Sequence, residues 1–500
     1  MEKSNLNTQL YTIPINDQGL NLYLRVGDNS VSFGYDEAIT FLMPVTRIVQ
    51  NENTIDIYLF NKKCFSVEDN KIIQSTSHIS ATELRNIGML LRGGNEVYTN
   101  NEAHFSRSGI MLSNTVKTEL HTHLIEILPS SKFLDFIERF NGKVKIDKDG
   151  NINFTEGTDF SIGDIRNLPN LYNNIIKQLE IPVDRVGDFY ELEKKVENRT
   201  RLLLGVSDDF AKASSYGDFN EARVLVTKVL LHDSLVYLRD SNVKYVEISH
   251  SNVKVINRIL ETLDSEFFEH INGINFRFLF SSSRLKSAKD FRQCGRYLTD
   301  ALEMQSVVGF DIMGLESKFS DEDLNPNAKD SLYRKLSPIV LALSKYNNTV
   351  LRLHSGEFAD TEENTEQLLE VISLIEKDNQ IKLPPPEIRI GHGLHITKNP
   401  KLVELLKKYN CVVEINASSN FALSNVTDLN EIPYKFYIDN GIRVVLSTDG
   451  GGFYRTSPEQ ERFIAQTFVG TEGLDRLSET DEEIYQMKVG GVVDVKKSGR

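Results

Sequence analysis

Residues 349–357 read Thr-Val-Leu-Arg-Leu-His-Ser-Gly-Glu, and this stretch is the most informative one for both fold and chemistry. Its β-branched and leucine residues predict a short buried strand. The strand ends at His354, and Gly356 allows a turn that brings Glu357 to the same side as the histidine. A metal-binding histidine and a proton-moving carboxylate make up half of a metal-assisted hydrolytic centre. Taken alone, however, the stretch fits a core histidine followed by a surface glutamate better.

Similar strands recur through the later part of the chain, with amphipathic helical stretches between them. The predicted strands are residues 116–124, 243–250, 276–280, 307–311, 349–353, 387–390, 411–415 and 442–447. Eight strands with intervening helices are the number that closes a (β/α)8 TIM barrel. Most intervals are compact, and the first carries a long helical insertion. The predicted fold class is therefore α/β, a (β/α)8 TIM barrel.

The beginning and the end of the chain follow other patterns. Residues 1–113 alternate apolar and polar residues around the turns 27–29 and 61–63, and a helix is predicted at 81–91. They predict a small β-rich N-terminal domain of unknown role, and residues 114–470 are assigned to the barrel. Residues 471–500 carry little apolar pattern, so we expect a flexible tail or an incomplete end.

Barrel enzymes place their chemistry at the C-terminal ends of the strands, so reactive residues are expected there. The residues found at these predicted ends are His121, His123, His354, Glu357, His392 and Asp449. His121 and His123 are two apart and therefore face the same way on a strand. A single His-x-His is about as often structural as metal-binding. Four of the ten histidines at strand ends, together with an aspartate, predict a metal site.

Composition narrows the class of protein. The chain has 500 residues and a formal net charge of −14, which argues against an extended nucleic-acid-binding face. Its 3 cysteines are far apart and indicate no disulfide framework. The first residues lack a signal-peptide pattern and no apolar run reaches transmembrane length, so we expect a cytoplasmic enzyme without a membrane partner. Homo-oligomerisation stays open.

Four motifs at the strand ends resemble signatures of the adenosine and AMP deaminase family, a zinc branch of the amidohydrolase superfamily. They are His121-Thr-His123, His354-Ser-Gly-Glu357, Gly391-His392-Gly393 and Thr448-Asp449-Gly450. Two weaker matches are Tyr245-Val-Glu-Ile and Asp311-Ile-Met-Gly314-Leu-Glu316, where the family uses a glycine amide to contact the purine. The resemblance spans residues 116 to about 470 and does not cover the N-terminal domain.

The resemblance implies one zinc ion per chain, held by His121, His123, His354 and Asp449. It implies hydrolytic deamination of an adenine nucleoside or nucleotide to the inosine form, with release of ammonia. Glu357 would protonate the ring nitrogen beside the attacked carbon, and His392 would orient the hydroxide. Asp449 could also accept the proton of the water. The implied partner is thus a small-molecule purine nucleoside or nucleotide.

Three positions are assigned to substrate binding by the resemblance: Gly314, Ile125 and Gly450. Gly314 matches the family pattern, and the other two depart from it. Where the family usually has an aspartate that contacts the ribose, this chain has Ile125, followed by Glu126. Where the family has a second aspartate on the imidazole ring of the purine, it has Gly450. Because both carboxylates are missing, we expect free adenosine to be a poor substrate and a phosphorylated adenine nucleotide to be a better one.

Two alternatives stay open at this point. One is another amidohydrolase reaction at the same metal, and the other is a catalytically silent member that binds a nucleotide as a sensor or scaffold. Glu357 and the complete ligand set argue against silence. Arg284, Arg352 and Arg455 are predicted near strand ends. Arginines there either bind a phosphate group or, more commonly, form surface salt bridges, and the second use is expected for each.

Overall fold

The computed structural model describes two parts of the chain. The first consists of eight strands between residues 9 and 74. The second is residues 117–490, except for 182–187, 214–218, 305–306, 382–386, 424 and 427–428. Among the described residues, no helix is both long enough and apolar enough to cross a membrane.

The strands before residue 75 form two antiparallel sheets of four strands each. They are β1 (Gln9–Pro14), β2 (Asn21–Val26), β3 (Val31–Gly34), β4 (Phe41–Met43), β5 (Val45–Gln50), β6 (Thr54–Leu59), β7 (Lys62–Glu68) and β8 (Lys71–Gln74). The pairings of β2 with β3 and of β6 with β7 confirm the two predicted hairpins. The helix predicted at 81–91 lies outside the described residues, and the domain boundaries stay predictions.

An eight-stranded parallel sheet forms the barrel. The strands from residue 117 onward are β9 (Lys117–His123), β10 (Lys143–Ile146), β11 (Thr158–Ser161), β12 (Val243–His250), β13 (Asn275–Ser283), β14 (Gly309–Met313), β15 (Val350–Ser355), β16 (Ile388–His392), β17 (Val412–Ile415) and β18 (Arg443–Leu446). The sheet runs β9-β12-β13-β14-β15-β16-β17-β18. Just beyond β18, Asp449 N donates to His121 O at 2.9 Å and His123 N donates to Asp449 O at 3.3 Å, which joins the last strand to the first. The predicted (β/α)8 barrel is confirmed.

Helices surround this barrel and fill the insertion after its first strand. They are α1 (Ser130–Arg139), α2 (Ile162–Arg166), α3 (Pro169–Lys177), α4 (Phe189–Ala213), α5 (Phe219–Asp240), α6 (Val253–Glu261), α7 (Ser265–His270), α8 (Ala288–Glu303), α9 (Asp321–Leu324), α10 (Leu332–Leu343), α11 (Asn364–Asn379), α12 (Pro400–Lys408), α13 (Ala417–Ala422), α14 (Tyr434–Asp439), α15 (Gly451–Tyr454) and α16 (Pro458–Tyr485). Helices α1 to α5 and the antiparallel hairpin β10–β11 lie between β9 and β12, as the long first interval predicted.

Local sequence explains how the helices between strands begin and pack. The Asn252 side chain accepts a hydrogen bond from Val255 N at 3.1 Å and so caps the start of α6. Three residues apart on that helix, Ile256 and Ile259 are both wholly buried, which places one apolar face of α6 against the rest of the protein. A polar cap and an apolar stripe together fix where the helix starts and which side it buries.

The last helix runs into the residues for which the sequence predicted a tail. α16 continues to Tyr485 beyond a kink at Gly470 (φ 71°), and Leu474, Leu477 and Ile484 are buried on its second half. Ile484 packs in a small cluster with residues of four barrel strands, namely Leu120, Tyr245, Val412 and Val445. Within the described part of the chain, residues 471–490 are therefore packed against the barrel, which differs from the tail expected from sequence. The apolar pattern is interrupted because buried Asp481 pairs with Arg462 and accepts from Thr118 Oγ1 at 2.6 Å.

Candidate active site

The reactive residues predicted at the strand ends converge inside the barrel. The ring centroids of His121 and His354 are 4.5 Å apart, and that of His392 lies 5.0 Å from His121. The ring of His123 lies 5.8 Å from those of His121 and His354. Side chains from β9, β15 and β16 therefore meet in one place, together with Asp449 just beyond β18.

Several metal-binding atoms point at the same small volume. The Nε2 atoms of His121 and His354 are 2.9 Å apart. Asp449 Oδ1 lies 3.4 Å from His121 Nε2 and 3.6 Å from His123 Nε2. Two overlapping groups have their candidate ligand atoms within 4.8 Å of one another: His121, His354, His392 and Asp449 in one, and His123, Asp311 and His354 in the other. Of the four predicted ligands, His121, His354 and Asp449 fall in the first group, whereas His123 falls in the second. His392 and Asp311 complete the two groups.

Unusual backbone conformations hold this arrangement. His392 has φ 71° and Asp449 has φ 66°, a left-handed region that non-glycine residues rarely adopt. Such conformations cost free energy and concentrate at functional sites. Gly356 has φ 68°, and a Cβ there would lie 2.6 Å from a backbone oxygen, so the predicted turn after β15 requires glycine. At Gly391 a Cβ would lie 2.8 Å from the His121 ring, so glycine lets the two strands place their histidines side by side.

The outer ring nitrogens of two histidines contact carboxylates. His121 Nδ1 lies 3.1 Å from Glu414 Oε2, and His354 Nδ1 lies 3.0 Å from Asp311 Oδ1. A carboxylate behind a histidine fixes the orientation of the ring and leaves its other nitrogen free for a metal. Sequence reasoning did not give Asp311 or Glu414 this role. Their location within or at the end of predicted barrel strands was the available signal.

Burial sets the protonation of the histidines. It lowers the pKa of His121 well below the ordinary value, and the neighbouring His354 lowers it further. Burial also lowers the pKa of His123 to about 3 and that of His392 to about 4. For His354, burial lowers the pKa, but the nearby carboxylates of Asp311, Glu357 and Asp449 together outweigh this effect and raise it. Three imidazoles are therefore held neutral, which is the form that binds a metal ion.

The donor set fits a divalent ion with zinc-like preferences. Neutral imidazole nitrogens and one carboxylate oxygen are ligands that zinc takes in catalytic sites. His121 Nε2 and His354 Nε2 also approach to 2.9 Å while both Nδ1 atoms face carboxylates. With the proton of each ring on Nδ1, both Nε2 atoms would offer a lone pair to a cation.

Glu357 lies buried beside this donor set. Its Oε2 is 3.8 Å from His392 Nε2, and its Oε1 accepts a hydrogen bond from Asn425 Nδ2 at 3.4 Å. Burial raises the pKa of Glu357 to about 7, so the carboxyl group keeps a proton near neutral pH. The buried Glu316 carboxylate accepts hydrogen bonds from the backbone N–H groups of Gly356 and Glu357 at 3.1 and 2.9 Å. Glu316 thereby fixes the turn that carries the acid.

The chain was compared with known proteins. A family model described as adenosine deaminase matches residues 381–481. The adenosine deaminase of Plasmodium gallinaceum is 25% identical over 300 residues, which cover 57% of this chain and 72% of that protein. The adenosine deaminase of Plasmodium knowlesi is 24% identical over 345 residues, covering 68% and 77%. A solved structure, the N6-methyl-AMP deaminase of Arabidopsis thaliana, aligns with a TM-score of 0.45 and 17% identity over 75% of this chain and 97% of the other.

These matches confirm the resemblance to the adenosine and AMP deaminase family. They also confirm the assignment to hydrolases that act on C–N bonds of cyclic amidines.

One departure from the family pattern has a structural counterpart. A Cβ on Gly450 would lie 2.6 Å from Glu126 Oε2 and 2.7 Å from Glu126 Cβ. Glu126 therefore occupies the space that a side chain at position 450 would need. Glu126 is 7% exposed, and burial raises the pKa of its carboxyl group well above the usual value. The carboxyl group of Glu126 thus lies where a side chain at position 450 would otherwise be, which explains the glycine there.

The other two predicted substrate positions differ in their surroundings. Ile125 is partly buried and packs against the hydrophobic core, and its backbone oxygen accepts from Arg199 Nη1 at 2.9 Å. Gly314 has φ 97°, and a Cβ there would lie 3.2 Å from Ser283 Oγ. Its left-handed backbone is the reason for glycine at this strand end.

The three arginines predicted near strand ends lie in three environments. Arg455 is 38% exposed and pairs with a glutamate. Arg284 donates to the backbone oxygen of His354. Arg352 is wholly buried inside the barrel, so the surface salt bridge expected for it is wrong. Its side chain points inward because it lies two residues before His354 on the same strand.

Proposed function

We propose that this protein catalyses the zinc-dependent hydrolytic deamination of an adenine nucleoside or nucleotide, giving the inosine form and ammonia. One observation carries the proposal. The converging donors His121, His354 and Asp449 lie beside a buried carboxylic acid, Glu357, at the C-terminal end of a parallel barrel. This pairs a site for a Lewis acid with a proton donor, as hydrolysis at a ring carbon requires.

The residues proposed to hold the ion are His121, His123, His354 and Asp449. When bound there, the ion would lower the pKa of water and so supply a hydroxide nucleophile near neutral pH. Asp449 is the one carboxylate among these four, and burial raises its pKa above the ordinary value. It is therefore suited to accept the proton that the water loses.

Glu357 is the proposed proton donor to the purine. Its pKa of about 7 keeps the proton available at neutral pH. Protonation of the ring nitrogen next to the amine-bearing carbon makes that carbon an electrophile. The hydroxide oxygen forms a bond to this carbon, and the bond from the carbon to the exocyclic nitrogen then breaks. The nitrogen takes up the proton that Asp449 accepted from water and leaves as ammonia. The hydroxyl proton on the carbon passes to the Glu357 carboxylate, and the carbon becomes the carbonyl carbon of the inosine-type product.

His392 is proposed to orient the nucleophile. Its Nδ1 lies 3.0 Å from Asn420 Oδ1, an arrangement that makes Nδ1 the donor and leaves Nε2 as an acceptor. Nε2 lies on the side of Glu357, at 3.8 Å. The ring can therefore accept a hydrogen bond from the attacking oxygen close to the acid that protonates the purine.

The substrate's phosphorylation is the finer part of the proposal. Ile125 offers no carboxylate toward a ribose, which favours a phosphorylated substrate, because an acidic side chain near the sugar would repel phosphate. Glu126 is an acidic side chain that could repel phosphate in the same way, but its carboxyl group lies beside Gly450, the position assigned to the purine. We therefore propose that Glu126 contacts the purine and that the preference for nucleotide over adenosine comes from Ile125.

A substrate panel tests the proposal. Adenosine, AMP, ATP and their deoxy analogues are incubated with zinc-loaded protein while ultraviolet absorbance and ammonia release are followed. Ammonia from at least one adenine compound, and a higher kcat/KM for AMP or ATP than for adenosine, is the expected result. Release of no ammonia from any of them would contradict deamination. A preference for adenosine would contradict only the inference from Ile125.

A further inference from the structure

An arginine lies directly beneath the candidate metal site. Arg352 is on β15, two residues before His354, so both side chains face the barrel interior. Its side chain is 0% exposed. Burying a guanidinium group is costly unless its charge and its N–H groups are matched, so its partners indicate what it does.

The Arg352 guanidinium group contacts residues of four barrel strands, β9, β12, β14 and β17. Nη1 donates to Ser249 Oγ at 2.7 Å and to Asp311 Oδ2 at 3.2 Å. Nε lies 2.9 Å from Glu414 Oε2. Nη2 donates to the backbone oxygen of Leu120, the residue that precedes His121. One planar group is therefore held against the carboxylates of Asp311 and Glu414, with Glu247 Oε2 further away, 4.0 Å from Nη2.

Each of these carboxylates leads on to a different histidine. Asp311 uses its other oxygen, Oδ1, to contact His354 Nδ1 at 3.0 Å. Glu414 contacts His121 Nδ1 at 3.1 Å through the same Oε2 that faces Arg352. The two histidines belong to strands β9 and β15, and the arginine joins their orienting carboxylates.

We propose that Arg352 is a positioning residue that sets the orientation of His121 and His354 together, through Glu414 and Asp311. The proposal rests on the proposed function only in taking these histidines as metal ligands. Arginine suits the role because its rigid fork places donors toward two carboxylates at once, which the single ammonium group of lysine does not do. Loss of the fork would remove the group that contacts both carboxylates, and would leave Glu414 with Arg389 and Asp311 with Ser249.

Arg389 offers a matched control within the same barrel. It is also 0% exposed and lies in a strand, β16. Its guanidinium group contacts Glu387 Oε2 at 3.1 Å, Glu414 Oε1 at 3.3 Å and Glu247 Oε1 at 3.6 Å. It shares burial and charge pairing with Arg352, but its ion pairs do not include Asp311.

The experiment compares Arg352→Lys with Arg389→Lys in the full-length protein. Both keep the charge and remove the fork. Zinc affinity is measured by competition with a chromophoric chelator, and the cobalt-substituted proteins are examined by visible absorption spectroscopy. Loss of groups that orient metal ligands typically lowers metal affinity about 10- to 100-fold. We expect a loss of that size, with a changed cobalt spectrum, in Arg352→Lys and a clearly smaller loss in Arg389→Lys.

A purely structural role gives a different result. Equal losses of zinc affinity in the two variants, with unchanged cobalt spectra, would overturn the proposal. If Arg352→Lys does not fold, Asp311→Asn and Glu414→Gln interrupt the two arms separately, and unchanged zinc affinity in both would overturn it as well. These readouts do not depend on turnover, so a protein that binds zinc without deaminating purines would sink the proposed function alone.

Discussion

Two layers of buried polar side chains lie inside the same barrel, and they differ in how they are satisfied. The histidine layer comprises His121, His123, His354, His392, Asp449 and Glu357. The arginine layer lies beneath the histidine layer and comprises Arg352, Arg389, Glu247, Glu387 and Glu414. In the arginine layer opposite charges contact one another. In the histidine layer metal-binding nitrogens lie close to one another, as with the Nε2 atoms of His121 and His354, which are 2.9 Å apart.

This difference distinguishes a structural polar core from a binding site. Paired ions satisfy each other and gain nothing from a ligand, although removal of one partner is costly. Imidazole nitrogens that converge on one point can share a metal ion, which is the arrangement expected of a binding site. Burial is nearly complete in both layers, and the choice of neighbours alone separates the two roles.

The largest expected effect comes from His354→Ala, which removes a donor from the histidine layer. The zinc content should fall well below about one ion per chain, because a catalytic zinc site typically has only about three protein ligands and cannot spare one. Deamination should fall to background with it. Metal analysis after gel filtration measures the zinc, and His270→Ala, at an exposed histidine on α7, is the control. Equal zinc in His354→Ala and wild type would remove His354 from the ligand set.

The second effect concerns the acid in the same layer. Glu357→Gln keeps the shape but cannot donate the proton, so kcat should fall about 10²- to 10⁴-fold while zinc content stays unchanged. The control is Glu363→Gln, which changes a glutamate with 56% side-chain exposure. Wild-type turnover in Glu357→Gln would assign the proton donor to another group.

The arginine layer should respond in stability. Arg389→Met leaves Glu247, Glu387 and Glu414 without one of their cationic partners. Breaking a buried ion pair in this way typically lowers the free energy of unfolding by about 3–5 kcal/mol. Urea unfolding followed by circular dichroism measures the loss. Stability equal to wild type would show that the paired ions of this layer contribute little, and the contrast between the layers would then fail.

The smallest expected effect lies at the edge of the histidine layer. A Cβ introduced by Gly450→Ala would lie 2.6 Å from Glu126 Oε2, and that flexible carboxyl group has to move. If Glu126 contacts the purine, losing its hydrogen bond should lower kcat/KM about tenfold. Glu126→Ala should cause the same loss, and the double variant no more. Gly205→Ala, where nothing lies within 4 Å of the added carbon, is the control. Fully additive losses in the double variant would show that Gly450→Ala does not act through Glu126.

Local sequence was sufficient for the barrel and for most of the histidine layer. A strand of period two places His121 and His123 on one face, and the rule that barrel chemistry lies at C-terminal strand ends selects His354, His392 and Asp449. The glycines at positions 356 and 391 also follow local logic, because a tight turn and a close approach each exclude a side chain. The motifs therefore carried the family resemblance without any knowledge of the fold.

Local sequence failed where a residue's role depends on a distant partner. The last helix was missed because its buried face includes Asp481, which is stable there only through Arg462 and Thr118. A pattern search reads such a residue as exposed, since the partner that pays its desolvation cost is invisible along the chain.

The sequence by itself determined the eight strands, the residues at their ends and the hydrolytic chemistry that such residues carry. Only the tertiary structure decided that Arg352 lies between Asp311 and Glu414, and that Glu126 fills the space beside Gly450. The physical reason is that periodicity is set by neighbouring peptide units, whereas these contacts join residues on different strands and turns. Closing the barrel fixes their distances, and those distances decide which polar groups pair and which are left to bind a ligand.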